Sequence, residues 1–238
     1  MITSFIESLY NKFDLIHAHR IRSYYSGKNI DLVIDVGSHK GEFINLVCSD
    51  DVPIYSIEPQ FKIFCELKTN TSHKNVLEYF NFAVSSYDGV IDFYINNLSS
   101  TSSTVLTNEK SPWIKFKKLL TSTKSANKVE TVKVFKLETL LASKLEGYNN
   151  ILLKIDVEGA ESQVLLGALN ILKEKKIKYI QIEESNYDIY QNKNNINASE
   201  VLKQLNFILD KKIIFPLLNF SDLIYIRSDS QSLIIPKN

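Results

Sequence analysis

Short apolar runs near the start of the chain predict the strands of a parallel sheet. Leu32-Val33-Ile34 is rich in β-branched residues and ends at Asp35, which is typical of a strand that is buried on both faces. Gly37 and Gly41 follow, and residues 42–47 then place apolar side chains at helical spacing. A strand, a glycine turn and a helix in this order form the first half of a nucleotide-binding βαβ unit.

The same patterns continue along the chain and predict an α/β fold. An amphipathic helix is predicted over 4–20, within an N-terminal helical segment 1–28. Further helices are predicted after Pro59 and over 137–141, 162–173 and 198–205. Strands are predicted at 54–57, 76–83, 90–95, 129–136, 151–155 and 177–182, with a closing antiparallel pair at 207–215 and 223–227. The chain has 238 residues, which suits one domain over 1–238.

Residues 96–128 differ from the rest of the chain. Their first part is polar and small, and lysines 110, 115, 117, 118, 124 and 128 then crowd around Trp113 and Phe116. A stretch of this length without clear periodicity is usually a functional loop or a solvated insertion. One interpretation is a lid or substrate loop whose lysines attract an anionic substrate, and the other is a charged insertion without a role in binding.

Composition excludes several classes of protein. The net charge of +1 gives no bulk attraction to nucleic acid. No apolar run approaches the length of about 18 residues that a membrane span needs, and residues 1–10 lack the apolar core of a signal peptide. We therefore expect a cytoplasmic protein without a membrane span. Cys48 and Cys65 are expected to be reduced core thiols, and without a C-x-x-C pair no zinc site is predicted.

An acid lies where a second strand ends. Glu58 follows Ile54-Tyr55-Ser56-Ile57 and stands 21 residues after Gly37, a position from which a carboxylate can bind both hydroxyls of a ribose. Asp35 occupies the place of the first glycine in the dinucleotide fingerprint, where a carboxylate would repel a pyrophosphate and attract a sulfonium and an ammonium group. These residues favour S-adenosylmethionine over NAD. An ordinary strand–helix turn is the alternative.

Further candidate site residues follow other predicted strands. Asn81, or the backbone near Ala83, is placed to hydrogen-bond an adenine. Asp156, Glu158 and Glu161 follow the strand 151–155, at the sheet edge where open α/β proteins bind ligands. Charge compensation at a helix N-terminus explains Glu158 and Glu161, but it explains Asp156 poorly. Glu183 or Glu184 can complete the rim of the pocket.

Four segments together resemble the FkbM-type methyltransferase family in order and spacing: Asp35-Val-Gly-Ser-His-Lys-Gly41, Ile57-Glu58-Pro59, Asn81-Phe-Ala-Val-Ser85 and Lys154-Ile-Asp-Val-Glu-Gly-Ala-Glu161. The resemblance spans about residues 30–185. It implies a class I, Rossmann-like methyltransferase fold, a seven-stranded mostly parallel sheet with an antiparallel last strand. It also implies S-adenosylmethionine as cofactor, and O-methyl transfer to a hydroxyl of a sugar, glycan or secondary metabolite.

The resemblance also implies roles for individual residues. Asp35, Gly37 and Gly41 match the motif around the methionine part of the cofactor, and Ser38 in the same turn is also expected to be a cofactor-binding residue. Glu58 matches the ribose-binding acid, and Asp156 and Glu158 match acids on the substrate side. Ser38-His39 stands where the family usually has Ala-Asn. His39 is therefore interpreted as a cofactor contact, as a base or, preferably, as a replacement for the hydrogen bonds of that asparagine.

The predicted mechanism is an in-line displacement at the sulfonium methyl, in which positioning supplies much of the rate. Asp156 is the first candidate for the general base, with Glu158 and His39 as alternatives. A divalent cation held by Asp156, Glu158 and Glu183 is a further possibility. Two other functions stay open: a non-catalytic S-adenosylmethionine-binding scaffold subunit and a nicotinamide-dependent oxidoreductase. The acceptor, the role of 96–128 and the oligomeric state are not predicted.

Overall fold

The structure is a computed structural model that describes residues 2–95, 102–105, 108, 110–111, 128–174, 176–185, 197–216 and 220–228, with the backbone alone at 2–11 and 185. In this part of the chain the strands are β1 (Leu32–Val36), β2 (Ile54–Ile57), β3 (Val76–Phe80), β4 (Ala83–Val84), β5 (Gly89–Ile95), β6 (Lys128–Phe135), β7 (Ile151–Ile155), β8 (Ile177–Ser185), β9 (Phe207–Ile214) and β10 (Phe220–Arg227). The helices are α1 (Ile2–Tyr25), α2 (Glu42–Leu46), α3 (Phe61–Asn70), α4 (Leu137–Leu141), α5 (Glu161–Leu166), α6 (Leu169–Lys173) and α7 (Ala198–Gln204), with a short 3-10 helix at Ala142–Lys144.

The main sheet has seven strands in the order β3-β2-β1-β7-β8-β10-β9. The five neighbouring strands β3, β2, β1, β7 and β8 are parallel to one another. Strand β10 lies between β8 and β9 and is antiparallel to both. The predicted α/β fold with an antiparallel last strand is therefore confirmed. Because β1 and β7 are neighbours at the centre, the chain segments that follow them meet at one edge of the sheet.

Helices cover both faces of this sheet. On one face, Ile34, Ile155 and neighbouring strand residues pack against Leu137 of α4, Val164 of α5 and Leu202 of α7. On the other face, Val33, Leu152 and Ile224 pack against Ile21 of α1 and Ile44 of α2. Successive residues of a strand alternate between faces, so the even-numbered residues of β7 lie on the side of α1 and α2.

A second, three-stranded sheet in the order β4-β6-β5 was not predicted as a separate unit. The strands predicted at 90–95 and 129–136 are present as β5 and β6, but they pair with each other rather than with the main sheet. The strand predicted over 76–83 is divided into β3 and β4. A local alternating pattern predicts a strand but not its partner, because partners are distant in sequence.

The prediction of a single helix over 162–173 is wrong, because α5 and α6 are separated at Gly167 and Ala168. A Cβ on Gly167 would lie 1.9 Å from the carbonyl oxygen of Ser85, so two backbones meet here. The carbonyl of Gly167 accepts a hydrogen bond from the Glu138 amide at 3.1 Å. The helix therefore breaks where α4 and the end of β4 approach it.

Most of the predicted insertion 96–128, including four of its six lysines, lies outside the described residues. Among the helices that the structure describes, none combines the length and apolar character needed to cross a membrane.

Candidate active site

One level of the sheet is polar on the side of α1 and α2. Asp35 of β1 is in register with Ser56 of β2 and Lys154 of β7, and Lys154 is in register with Gln181 of β8. The residues two positions earlier on these strands, such as Val33 and Leu152, belong to the apolar core of the same face. A polar layer therefore lies directly above that core, near the carboxyl ends of the strands.

Lys154 holds the centre of this layer. Its ammonium Nζ lies 3.1 Å from Oδ1 of Asp35 and 3.4 Å from Oδ2 of Asp156, and it donates a 2.8 Å hydrogen bond to the carbonyl of Gly37. Burial opposes the charge on Lys154, but the carboxylates of Asp35 and Asp156 outweigh it and raise the lysine pKa. The sequence showed only one lysine interrupting a buried strand, and its ion pairs were not predicted.

Asp35 is fully buried, with an exposed fraction of 0%. Burial raises its pKa, while the charge of Lys154 acts in the opposite direction. Lys154 offsets the negative charge of Asp35. A bound cation would therefore be attracted mainly by the acids at the next level of the sheet and not, as we had expected, by Asp35.

The next level of the sheet, two residues closer to the carboxyl ends of the parallel strands, contains the residues that follow β1, β2 and β7 and their neighbours within β8 and β10. The backbone amides of Glu58, Gly37 and Asp156 continue the ladders, bonding to the carbonyls of Phe80, Ile57 and Val36 at 3.0 Å each. Glu183 of β8 is in register with Asp222 of β10, and Asp156 follows Ile155, which is in register with Ile182. Glu58, Gly37, Asp156, Glu183 and Asp222 therefore form one row across the edge of the sheet, which we call the acid row.

Glu58 is held by two backbone amides. Its Oε1 accepts a 2.8 Å hydrogen bond from Gln60, and its Oε2 accepts a 3.1 Å bond from His39. The side chain is 4% exposed, and burial raises its pKa to about 7. A carboxylate oxygen has two lone pairs, so each oxygen keeps acceptor capacity for a hydroxyl.

The turn after β1 requires glycine at position 37. Gly37 has φ +80°, and a Cβ there would lie 1.8 Å from the carbonyl oxygen of Asp156. The hydroxyl of Ser38 is internal to the turn: it donates to the carbonyl of Asp35 at 2.9 Å and accepts from Ser56 at 2.8 Å. Ser38 thereby joins the ends of β1 and β2.

His39 adopts a positive φ of 48°, and its Nδ1 lies 3.1 Å from Oε1 of Glu42. Positive φ is uncommon for residues other than glycine, and asparagine and histidine are among those that tolerate it. The three interpretations of His39 stay open, since a cofactor contact, a base and a replacement for an asparagine are all compatible with this local contact.

Three other predicted residues lie near the turns after β1, β2 and β3. A Cβ on Gly41 would lie 2.3 Å from Cγ2 of Thr71, so this glycine lets α2 approach the end of α3 rather than a strand. Asn81 donates 3.0 Å hydrogen bonds to the carbonyls of Glu58 and Pro59, which leaves its Oδ1 as the group facing other partners. Ala83 is buried in β4, where it is in register with Val134.

The turn after β7 carries the other predicted acids. Glu158 has φ 56°, and Glu161 accepts a 2.9 Å bond from the Gly159 amide. The hydroxyl of Ser103, which is 1% exposed, lies 2.7 Å from the carbonyl of Glu158 and 3.1 Å from that of Val157. A described part of the 96–128 segment is therefore attached to the turn beside Asp156.

A buried network at the other end of the acid row was not predicted. Nε2 of His17 in α1 lies 2.5 Å from Oδ2 of Asp222, and Nε2 of Gln181 donates to Oδ1 of the same aspartate at 2.7 Å. The hydroxyl of Tyr25 donates to Oε1 of Gln181 at 3.0 Å. Gln181 lies between the buried residues Ile180 and Ile182, and a polar residue between buried apolar neighbours is the sequence signal that indicates such a network.

The residues of the site fit a cationic, ribose-containing ligand. The acid row has four carboxylates, at 58, 156, 183 and 222, and Asp35 lies one level below it. Lys154 pairs with Asp35 and Asp156. The charge is predominantly negative, and Glu58 keeps acceptors for a diol. By contrast, no group of three histidine, cysteine or acidic side chains within the described ranges has an arrangement that can hold a metal ion. The divalent cation considered from sequence therefore has no support.

Comparison with protein families gives one match that covers most of the chain. The model described as "Methyltransferase FkbM domain" matches residues 35–211, a range that contains Asp35, Glu58, Asp156 and Glu183. No curated protein matches the chain.

Two solved structures with similar folds are distant in sequence. Magnesium protoporphyrin IX methyltransferase from Synechocystis PCC 6803, with bound SAH, has a TM-score of 0.50 at 9% identity, covering 94% of this chain and 88% of that one. A SAM-dependent methyltransferase from Aquifex aeolicus has a TM-score of 0.44 at 12% identity, covering 94% and 98%. At such identities the likeness concerns the fold alone, whereas the family match covers most of the sequence. The chain belongs to the FkbM methyltransferase family.

Proposed function

We propose that this methyltransferase transfers the methyl group of S-adenosylmethionine to a hydroxyl oxygen of a small molecule, such as a sugar, a glycan or a secondary metabolite. The observation that carries the proposal is the acid row, four carboxylates along one edge of the sheet. The ammonium of Lys154 pairs with Asp156 of this row and with the buried Asp35. Solved structures of similar fold contain SAM or SAH, which supports the cofactor.

The proposed cofactor site begins at the turn after β1. Glu58 is suited to the ribose hydroxyls, because each oxygen accepts only one backbone N–H. Oδ1 of Asn81 and the backbone near Ala83 are proposed to contact the adenine. Gly37, Ser38 and Gly41 shape the turn, and Asp35 acts through Lys154 rather than by direct contact, since it is fully buried.

When bound, the cofactor supplies an electrophilic methyl group, so an acceptor hydroxyl needs alignment and a group that takes its proton. Three carboxylates lie near the carboxyl ends of two neighbouring strands: Asp156 and Glu158 follow β7, and Glu183 lies in the last part of β8. Carboxylates in such positions suit general base catalysis. Alignment of the acceptor by the walls of the site can lower the activation free energy by roughly 7–11 kcal/mol.

The test is methyl transfer from S-adenosylmethionine carrying a ¹³C-methyl group to a panel of hydroxylated acceptors, with the methylated atom identified by NMR. We expect a methyl ether. Asp156→Asn at saturating cofactor distinguishes the candidate bases: a fall in kcat of about 10²–10⁴-fold would assign the proton transfer to Asp156, and a nearly unchanged kcat would assign it to another acid of the row. A methyl group on nitrogen or carbon would contradict O-methylation, and cofactor binding without transfer to any acceptor would favour the scaffold alternative.

A further inference from the structure

Glu183 lies between two other carboxylates at the edge of the sheet. On one side, Asp156 follows Ile155, which is in register with Ile182, and on the other side Asp222 is directly in register with Glu183. Neighbouring strands lie about 4.8 Å apart, so the three carboxyl groups are close. Glu183 is partly exposed, unlike the neighbouring Ile182 and Gln181.

The two neighbours of Glu183 are already engaged. Lys154 lies 3.4 Å from Oδ2 of Asp156, and Asp222 uses one oxygen for Gln181 and the other for His17. The side chain of Glu183 has no hydrogen bond or ion pair with another described residue. It is therefore the member of the three for which neither carboxylate oxygen is engaged within the described part of the chain.

Charged groups approach Glu183 from each element around it. Lys154, Asp156 and Glu158 come from β7 and its turn, Asp222 comes from β10, and His17 of α1 reaches Asp222. Burial, followed by the charges of Asp156, Glu158 and Asp222, raises the pKa of Glu183 well above its ordinary value, and only Lys154 acts noticeably in the opposite direction. A carboxyl group in these surroundings binds a proton readily.

We propose that Glu183 is the catalytic residue that accepts the hydroxyl proton of the methyl acceptor, and that its ionisation depends on the positive charge of the bound cofactor. This inference rests on the proposed function. In the reaction, the acceptor oxygen forms a bond to the methyl carbon, the carbon–sulfur bond breaks with its electrons going to sulfur, and the acceptor's proton moves to an Oε atom of Glu183.

The charges explain why Glu183 can lose a proton first and gain one later. A cation close to the acid row favours the carboxylate form of Glu183, so the residue is ionised while the sulfonium is present. The sulfonium charge disappears on methyl transfer, and the proton affinity of Glu183 rises again at that moment. The proton that enters then replaces the positive charge that has been lost.

The inference predicts that S-adenosylmethionine and S-adenosylhomocysteine, which differ in one methyl group and one charge, release different numbers of protons when they bind. Calorimetric titration of the full chain with S-adenosylmethionine and with S-adenosylhomocysteine, in buffers of different ionisation enthalpy near pH 7, gives the number of protons released by each. We expect S-adenosylmethionine to release more, by a difference of up to about one proton for a single group. Glu183→Gln is expected to remove most of this difference.

Glu184→Gln is the matched control, because Glu184 is on the same strand, is exposed and pairs with Lys212 at 3.2 Å. It is expected to behave as the unaltered protein. Equal proton release with both probes in the unaltered protein would overturn the inference without any variant, and so would an unchanged difference in Glu183→Gln. Failure of both probes to bind would instead overturn the proposed function.

Discussion

The ammonium of Lys154 and the carboxylate of Asp35 form an ion pair of 3.1 Å inside the protein, with exposed fractions of 6% and 0%. The pair joins the two central strands just below their carboxyl ends. A third acid, Asp156, shares the ammonium at 3.4 Å. The structure therefore connects the stability of the sheet centre with the charge of the site.

Removing the lysine is expected to destabilise the fold strongly. Lys154→Met leaves Asp35 as a buried charge without its partner, which should lower the free energy of unfolding by about 3–5 kcal/mol. The double variant Asp35→Asn with Lys154→Met should recover part of this loss, because position 35 then has no buried charge. Urea unfolding measures both, and additive losses in the double variant would contradict the interpretation.

The turn at Gly37 allows a matched pair of alanine variants. Gly37→Ala combines an unfavourable φ with a Cβ placed 1.8 Å from a carbonyl oxygen, whereas Gly147 has φ +89° with no atom within 4 Å. Gly147→Ala should therefore cost only the backbone strain, about 1–3 kcal/mol, and should keep cofactor binding. Gly37→Ala should lower the thermal midpoint further and abolish cofactor binding. Equal effects of the two alanine variants would show that the close approach of Gly37 to the Asp156 carbonyl is unimportant.

Glu58 predicts a pH dependence of stability. Its pKa in the folded protein, about 7, is above the ordinary value of 4.5, so the folded state binds the proton more tightly than the unfolded state. The contribution of Glu58 to the free energy of unfolding is fully present below pH 4.5 and is lost as the pH rises through 7. The loss amounts to about 3 kcal/mol.

Urea unfolding of the ligand-free protein between pH 4.5 and 8 measures this loss. Glu58→Gln should flatten the profile, although burial also raises the pKa of Glu183 and Glu161, which contribute in the same direction. A profile of unchanged slope in Glu58→Gln would show that Glu58 is not the titrating group.

The buried contact between His17 and Asp222 is expected to hold α1 against the sheet. His17→Ala removes a hydrogen bond to a carboxylate worth about 1.5–3 kcal/mol, so amide hydrogen exchange in α1 should accelerate roughly ten- to hundredfold if the helix opens locally. His19→Ala, an exposed neighbour on the same helix, serves as control. Equal exchange in both variants would mean that other contacts hold α1.

Much of the framework is predictable because its signals are local. The runs that became β1, β2, β7 and β8 are short and mainly apolar, and glycines or acids mark where three of them end. The positions of Asp35, Glu58 and Asp156 at one edge then follow from the rule that parallel strands end together.

Other features depend on contacts between distant residues. The pairing of Lys154 with Asp35 joins residues of separate strands, and His17 and Asp222 come from opposite ends of the sequence. The break at Gly167 likewise comes from the approach of Ser85. Local periodicity contains no information on such contacts, although a single polar residue within an apolar strand indicates where to search.

The central claim is that the edge of the sheet at Glu58 and Asp156 binds S-adenosylmethionine. Calorimetric titration with S-adenosylmethionine, S-adenosylhomocysteine and NAD should show binding of the first two and not of NAD. Glu58→Ala should abolish that binding. Glu78→Ala, whose carboxylate pairs with Lys144 at 2.8 Å on the neighbouring strand β3, should preserve it. Binding of NAD alone, or of none of the three, would contradict the account.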